Sequence, residues 1–188
     1  MRYSAEHKAE TRERLLASSG ALAKQQGFAV TGVDALMKTI GLTGAAFYSH
    51  FPSKDDLFAE LIERELHNSL SRLGGEAGDT GRDKLQRCLN AYLSLAHVEQ
   101  PDKGCVLPTL GAEIARADEP VRLRTEQQIL QLQSAWAEII GDPQLAWTIL
   151  AQCLGSLLLA RMMASDESRR QVLDASLDML EHTLMPVS

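Results

Sequence analysis

Cys105 is the residue best placed for reactive chemistry. It follows Lys103-Gly104 at the expected start of a helix, and a helix N-terminus and a neighbouring lysine both lower a thiol pKa and raise its thiolate fraction. Cys88 and Cys153 lie inside apolar helical runs and are expected to be inert. Three cysteines without CxxC spacing suit neither a disulfide framework nor a cysteine zinc site, and they fit a reducing cytoplasm. His97, His182 and the acids show no catalytic or metal-ligand spacing, so no catalytic residue, cofactor or metal is expected. The densest group of polar residues has a different use. Thr31, Lys38, Thr43, Tyr48, Ser49, His50 and Lys54 are hydroxyl, imidazole and ammonium donors of the kind that hold phosphate.

Those donors need elements to position them. Val33, Leu36, Ile40, Leu42 and Phe47 recur at helical intervals on either side of Gly41, a position that favours φ > 0 and stops a helix. The spacing predicts a helix over about Gly32–Ile40, a turn, and a second over about Thr43–Ser49, a helix-turn-helix whose second helix would enter the major groove. Thr31 with Asp34, and Ser53 with Asp56, read as capping-box variants, with Thr43 capping the helix between them. Ahead of them a helix from about Ala9 to Gln26 ends at Gly27, and Phe28 and Val30 are expected to plug the small core. Met1 to Glu10 reads as a polar arm.

The run Thr11 to Leu16 (TRERLL), Gly27-Phe28, Thr31 to Val33, Gly41-Leu42-Thr43, Phe47-Tyr48, His50-Phe51 and Ser53-Lys54 resembles the DNA-binding region of the TetR family of bacterial transcriptional regulators. The resemblance covers roughly the first 60 residues. It implies that Tyr48 and His50 touch phosphate, and that a homodimer binds a pseudo-palindromic double-stranded operator. It also implies a small-molecule pocket in the C-terminal helices. Gly44-Ala45-Ala46 departs from the pattern, because members often carry a long polar residue near Gly44. Ala45 and Ala46 offer only methyl contact, so specificity falls to backbone approach at Gly44, to Lys38 or Ser49, to the arm, or to DNA shape.

The formal charge of −6 suits a DNA binder only when it is divided. Residues 1–54 carry seven Lys/Arg against four Asp/Glu, and residues 55–188 carry twelve against twenty-one. A positive reading head is thus expected on an acidic body. The fold expected is all-α with about nine helices: a three-helix DNA-binding domain at 1–52 and a helical ligand-binding and dimerisation domain at 53–188. Leu57, Phe58, Leu61, Ile62 and Leu66 continue the apolar stripe into a long helix that frays before a loop at Gly74–Gly81. Helices follow at about Arg82–His97 (Leu85, Leu89, Leu93 and Ala96 inward), Cys105–Ala117, from Pro120 to Ile140, Leu145–Met163, and Asp166–Met185.

Leu145–Met163 is almost wholly apolar, but Thr148, Gln152, Ser156 and Arg161 interrupt it. It also falls short of the roughly 20 apolar residues of a membrane span. It is expected to be buried on all sides, partly by a partner. Ala151, Gly155 and Leu158, with Leu173, Leu177, Leu180 and Leu184 of the last helix, are the candidate dimer interface. Candidate pocket residues are Leu61, Leu89, Tyr92, Cys105, Leu110, Leu132, Trp136 and Cys153. No secretory signal follows the start. A dimeric cytoplasmic repressor released by a small molecule is the function expected. The alternatives are a repressor switched by oxidation or electrophile modification of Cys105, a helical interaction module without DNA binding, and a helical enzyme, for which nothing in the sequence speaks.

Overall fold

The structure is a computed structural model that describes residues 5–71 and 81–184. Among them the chain is helical throughout, in the order α1 (Ala5–Gln26), α2 (Val33–Lys38), a 3₁₀ recognition helix (Gly44–Ser49), α3 (Lys54–Ser71), α4 (Gly81–Tyr92), α5 (Leu95–Glu99), a 3₁₀ turn (Pro101–Lys103), α6 (Leu107–Arg116), α7 (Glu119–Ile140), α8 (Pro143–Met162) and α9 (Asp166–Leu184). Arg2 of the expected arm, most of the Gly74–Gly81 loop and Met185 lie outside the described residues.

Two apolar cores carry the fold. The first joins Leu15, Leu16 and Ala23 of α1 to Leu36 and Met37 of α2, Phe47 and Phe51 around the recognition helix, and Leu57, Leu61, Ile62 and Leu66 of α3. Val106, Leu110, Ile114 and Val121 complete it from beyond α5. This core therefore runs past residue 52 and fastens the reading head to α6. The second core sits among α4, α7, α8 and α9 around Leu85, Leu89, Trp136, Ile149, Leu157, Leu173 and Leu180. Between α8 and α9 a buried polar staple adds to the apolar packing. Ser156 and Ser176 hydroxyls meet at 2.7 Å, and the Gln152 amide donates to both at 3.2 Å.

Three glycines at positive φ, Gly27 (90°), Gly41 (75°) and Gly141 (81°), turn the chain at helix ends, where an L side chain would be strained. Ser53 caps α3 as its spacing predicts: its hydroxyl accepts from Asp56 N–H at 3.0 Å and donates to the Asp56 carboxylate at 2.8 Å.

Other expectations fail locally. Thr31 does not cap α2. It is buried, its hydroxyl donates to the Gly27 carbonyl at 2.6 Å, and Gly32 holds the cap position without a side-chain bond. The α1–α2 turn uses the hydroxyl first. Thr43 leads the recognition helix with extended backbone but makes no side-chain cap bond. Val30 is 80% exposed rather than a core plug; Phe28 does the plugging alone, its ring stacked 4.3 Å from Phe58.

The expected Arg82–His97 helix is broken at Leu93-Ser94. The Ser94 hydroxyl accepts from His97 N–H at 3.3 Å and starts α5, turning Ala96 outward and Val98 inward. Helix α6 begins at Leu107 with Val106 before it, so Cys105 does not open a helix. Leu173 and Leu180 are buried in the second core, and Leu177 and Leu184 pack against it, so these four hold α9 to its own chain. Helix α8 is long and apolar enough to pass for a membrane span by length and composition. It buries Ala146, Ile149, Leu150, Cys153, Leu157 and Ala160, while Trp147, Ala151, Gly155, Leu158, Leu159 and Met162 stay exposed.

Candidate nucleic-acid interface and the cavity behind it

The recognition helix is six residues long, and its inner side fixes its pose. Phe47 is fully buried, Phe51 just beyond is also buried, and their rings lie 5.8 Å apart. The Arg12 guanidinium sits 4.5 Å over Phe51 and pairs with Glu60, tying α1 to α3 across the back of the helix. With that side locked, the outer side must face solvent. Thr43, Ala45, Tyr48 and Ser49 are exposed, and Tyr48 at 67% is the largest projecting group. Its ring stands edge-on to Phe47 at 5.3 Å, which stiffens it without covering the hydroxyl. Lys38 projects beside them from the end of α2. The Ser49 hydroxyl donates to the Ala46 carbonyl at 2.7 Å and keeps its lone pairs.

His50 is half-buried, and among the described residues its Nδ1 has no hydrogen-bond partner. Burial first, then the charges of Lys8, Arg12 and His7, hold its pKa below the ordinary 6.5. The ring is therefore neutral at pH 7, in a positive neighbourhood. Lys54 Nζ donates to the Ala29 carbonyl at 3.0 Å and lies 4.7 Å over the Phe28 ring, leaving other ammonium hydrogens outward. A Cβ at Gly44 would meet the Asp34 carboxylate at 1.8 Å, so the missing side chain is what lets α2 approach. Thr31, being buried and bonded to Gly27, cannot reach DNA.

Behind this head, a cavity of about 380 Å³ opens between α4, the Pro101–Lys103 turn, α7 and α8. Tyr92, Cys105, Leu132, Trp136 and Cys153 line it, together with Cys88, so all three cysteines of the chain face one space. Leu61 and Leu110 belong instead to the first core, and Leu89 is sealed in the second. Burial, and then Cys88 and Cys105, push the Cys153 thiol up to about 12, so it stays protonated at neutral pH.

The rim of the cavity carries residues that the sequence reading missed. His97 Nε2 accepts from Cys105 N–H at 2.9 Å while its Nδ1 meets the Tyr92 carbonyl at 2.7 Å. That pair of bonds requires a neutral ring protonated at Nδ1. One residue back, the Gly104 carbonyl accepts from Lys24 of α1 at 3.1 Å, and the same buried ammonium pairs with Glu65 of α3 at 2.8 Å. Farther along α6, the Glu113 carboxylate accepts from Phe28 N–H at 3.0 Å and Ala29 N–H at 2.6 Å. Cavity rim and reading head thus share direct bonds. The available signal was a lysine eight residues after Leu16, on the face that α1 buries.

Comparison with known proteins bears on the head directly. The sequence profile of the bacterial regulatory proteins of the tetR family matches residues 15–61, from the middle of α1 to the middle of α3. The HTH-type transcriptional repressor NemR of Escherichia coli K12 is 28% identical over 178 residues, covering 84% of this chain and 87% of NemR. The reading head is that of the TetR family. The chain is a DNA-binding transcriptional regulator. Among other relatives, the nucleoid occlusion factor SlmA of Marinobacter nauticus is 32% identical over 112 residues, covering 58% of this chain and 56% of SlmA. Solved structures agree in fold along almost the whole chain. A TetR/AcrR-family regulator superposes with a TM-score of 0.78 at 24% identity, covering 94% of this chain and 100% of that one. The reduced form of E. coli NemR gives 0.77 at 24%, covering 92% and 96%.

Proposed function

We propose that this chain is a homodimeric, cytoplasmic repressor of the TetR family that leaves a pseudo-palindromic operator when a small molecule fills the cavity behind its reading head. The observation that carries the reading is the two-sided recognition helix: Phe47 is locked inward while Tyr48, Ser49 and Thr43 stand outward on a positively charged N-terminal piece. On duplex DNA, Tyr48, His50, Lys54 and Thr43 would hold phosphate. Gly44 and Ala45 would give the backbone and a methyl group close access to base edges, with Lys38 and Ser49 reaching beside them. Residues 1–52 would act as the reading unit and 53–188 as the sensing and pairing unit.

Release would be a population shift. A ligand between α4, α7 and α8 would favour a dimer whose two heads no longer match half-sites about 34–36 Å apart. The bonds Lys24–Gly104 and Glu113–Phe28/Ala29 are the route by which the cavity rim would pull on α1 and the turn after it.

A gel-shift with the duplex flanking the protein's own gene tests the reading. We expect a specific shift whose affinity falls steeply as salt rises from 50 to 200 mM, and about a fivefold to tenfold loss for Tyr48→Phe. No affinity for any duplex at low salt would remove it and favour a helical interaction module.

A second reading is supported by Cys105, whose thiol lines the cavity next to a peptide bonded to the head. Oxidation or alkylation there would add bulk at the same rim, and the related NemR structure is described as a reduced form. Unchanged release of a Cys105→Ser variant by hypochlorite, quinones or aldehydes would exclude this route.

A further inference from the structure

Resting on the cavity as the effector site, we propose that its ligand is a neutral aromatic molecule bearing a hydrogen-bond-accepting carbonyl oxygen, held between Tyr92 and Trp136. Both side chains line the cavity, and among the described residues neither buried polar atom, the Tyr92 hydroxyl or Trp136 Nε1, meets a nitrogen or oxygen partner; the Tyr92 hydroxyl has only the soft Cys105 thiol beside it. Trp136 is only 5% exposed, and its indole N–H can only donate. Burial, then the neighbouring Cys105 thiol, raises the Tyr92 pKa well above its ordinary value, so its phenol keeps its proton as well.

Among the described residues no oxygen or nitrogen of the wall accepts from either group, and a thiol is a weak acceptor. His97 spends both ring nitrogens on Tyr92 and Cys105 backbone. Among the described residues no Asp or Glu lines the cavity, and Leu107, Leu132, Leu150 and Leu154 make up much of the rest. Buried donors left without acceptors are costly, so the ligand that gains most brings oxygen lone pairs to both. Apolar walls favour the rest of the ligand being aromatic or aliphatic. A quaternary ammonium would find two aromatic faces but neither a carboxylate nor anything to accept the two hydrogens. A carboxylate would supply lone pairs but lose its hydration against leucine.

The test is calorimetric titration of the full chain with four probes of one shape: 2-acetylnaphthalene, 2-isopropenylnaphthalene, 2-naphthoate and trimethyl(2-naphthyl)ammonium. The ketone is expected to bind about tenfold tighter than the alkene, in which CH₂ replaces the oxygen, and tighter than either ion. Tyr92→Phe and Trp136→Phe should each cut ketone affinity about fivefold to tenfold more than alkene affinity, with thermal midpoints confirming that both variants fold. Equal binding of ketone and alkene, preference for an ion, or no binding of the ketone overturns the proposal. Operator release is measured separately. A ketone that binds as described without freeing DNA upholds the ligand class and defeats the reading that filling this cavity releases the operator. Release by other compounds while the ketone is ignored does the reverse.

Discussion

His50 shows how one side chain can report both folding and DNA contact. Its folded-state pKa lies below 6.5, through burial and then Lys8, Arg12 and His7. The unfolded chain therefore takes up the proton first as pH falls. The stability this gives is complete above about pH 6.5 and is lost as pH drops through the folded-state value. Phosphate acts in the opposite direction, because an anion beside the ring favours its charged form. Between pH 7.5 and 6 the thermal midpoint of the free protein should fall, whereas duplex affinity at fixed salt should rise. His50→Gln should flatten both trends, as scanning calorimetry and fluorescence anisotropy would reveal; an anisotropy profile identical to the parent's would take His50 off the phosphate.

At the scale of elements, α1, α3 and the segment leading into α6 meet at Lys24. Its ammonium is 4% exposed, pairs with Glu65 and bonds the Gly104 carbonyl. Gly20 makes room, since a Cβ there would touch the Glu65 carboxylate at 3.0 Å. Removing one member of a buried pair strands the other, so Lys24→Met should lower stability by about 2–4 kcal/mol in urea titrations. Because the link to the cavity rim is cut, the folded variant should still bind operator yet need far more effector for release. Parent-like release would show that coupling travels elsewhere. Glu113→Ala removes a carboxylate from two backbone N–H groups and should cost about 1.5–3 kcal/mol. The expected sign is a lower denaturation midpoint together with weaker DNA binding, because the Phe28–Ala29 turn also anchors Lys54.

For the whole molecule, the exposed stripe on α8 is the surface with most to gain from a partner. Trp147, Leu158 and Met162 are 44%, 47% and 65% exposed, and a Cβ at Gly155 would meet nothing within 4 Å in the single chain. Gly155→Leu should therefore leave the protomer folded while blocking close approach of a second α8. Sedimentation should show monomers at concentrations where the parent is dimeric. Operator affinity should fall by about 100-fold or more, since two tethered heads bind far more tightly than one. A Gly155→Leu protein that remains dimeric would move the interface away from α8.

The sequence by itself determined the helical class, the turn at Gly41, the cap at Ser53 and the burial of Phe47, because period, positive φ and local capping are properties of a few neighbouring residues. The same locality explains the misjudged positions. Thr31 is a good cap by type, but the Gly27 carbonyl lay nearer; Ser94 broke a helix because its own hydroxyl offered α5 a start. Leu173 and Leu180 formed a leucine stripe that sequence alone could assign to either a partner or the chain's own core, and packing against α8 chose the core. Only tertiary structure could bring Lys24 to Gly104, Glu113 to Phe28, and Tyr92, Trp136 and three cysteines to one cavity. Those contacts join residues as far as 85 positions apart. Such pairings arise from how whole helices pack, and no local spacing encodes them.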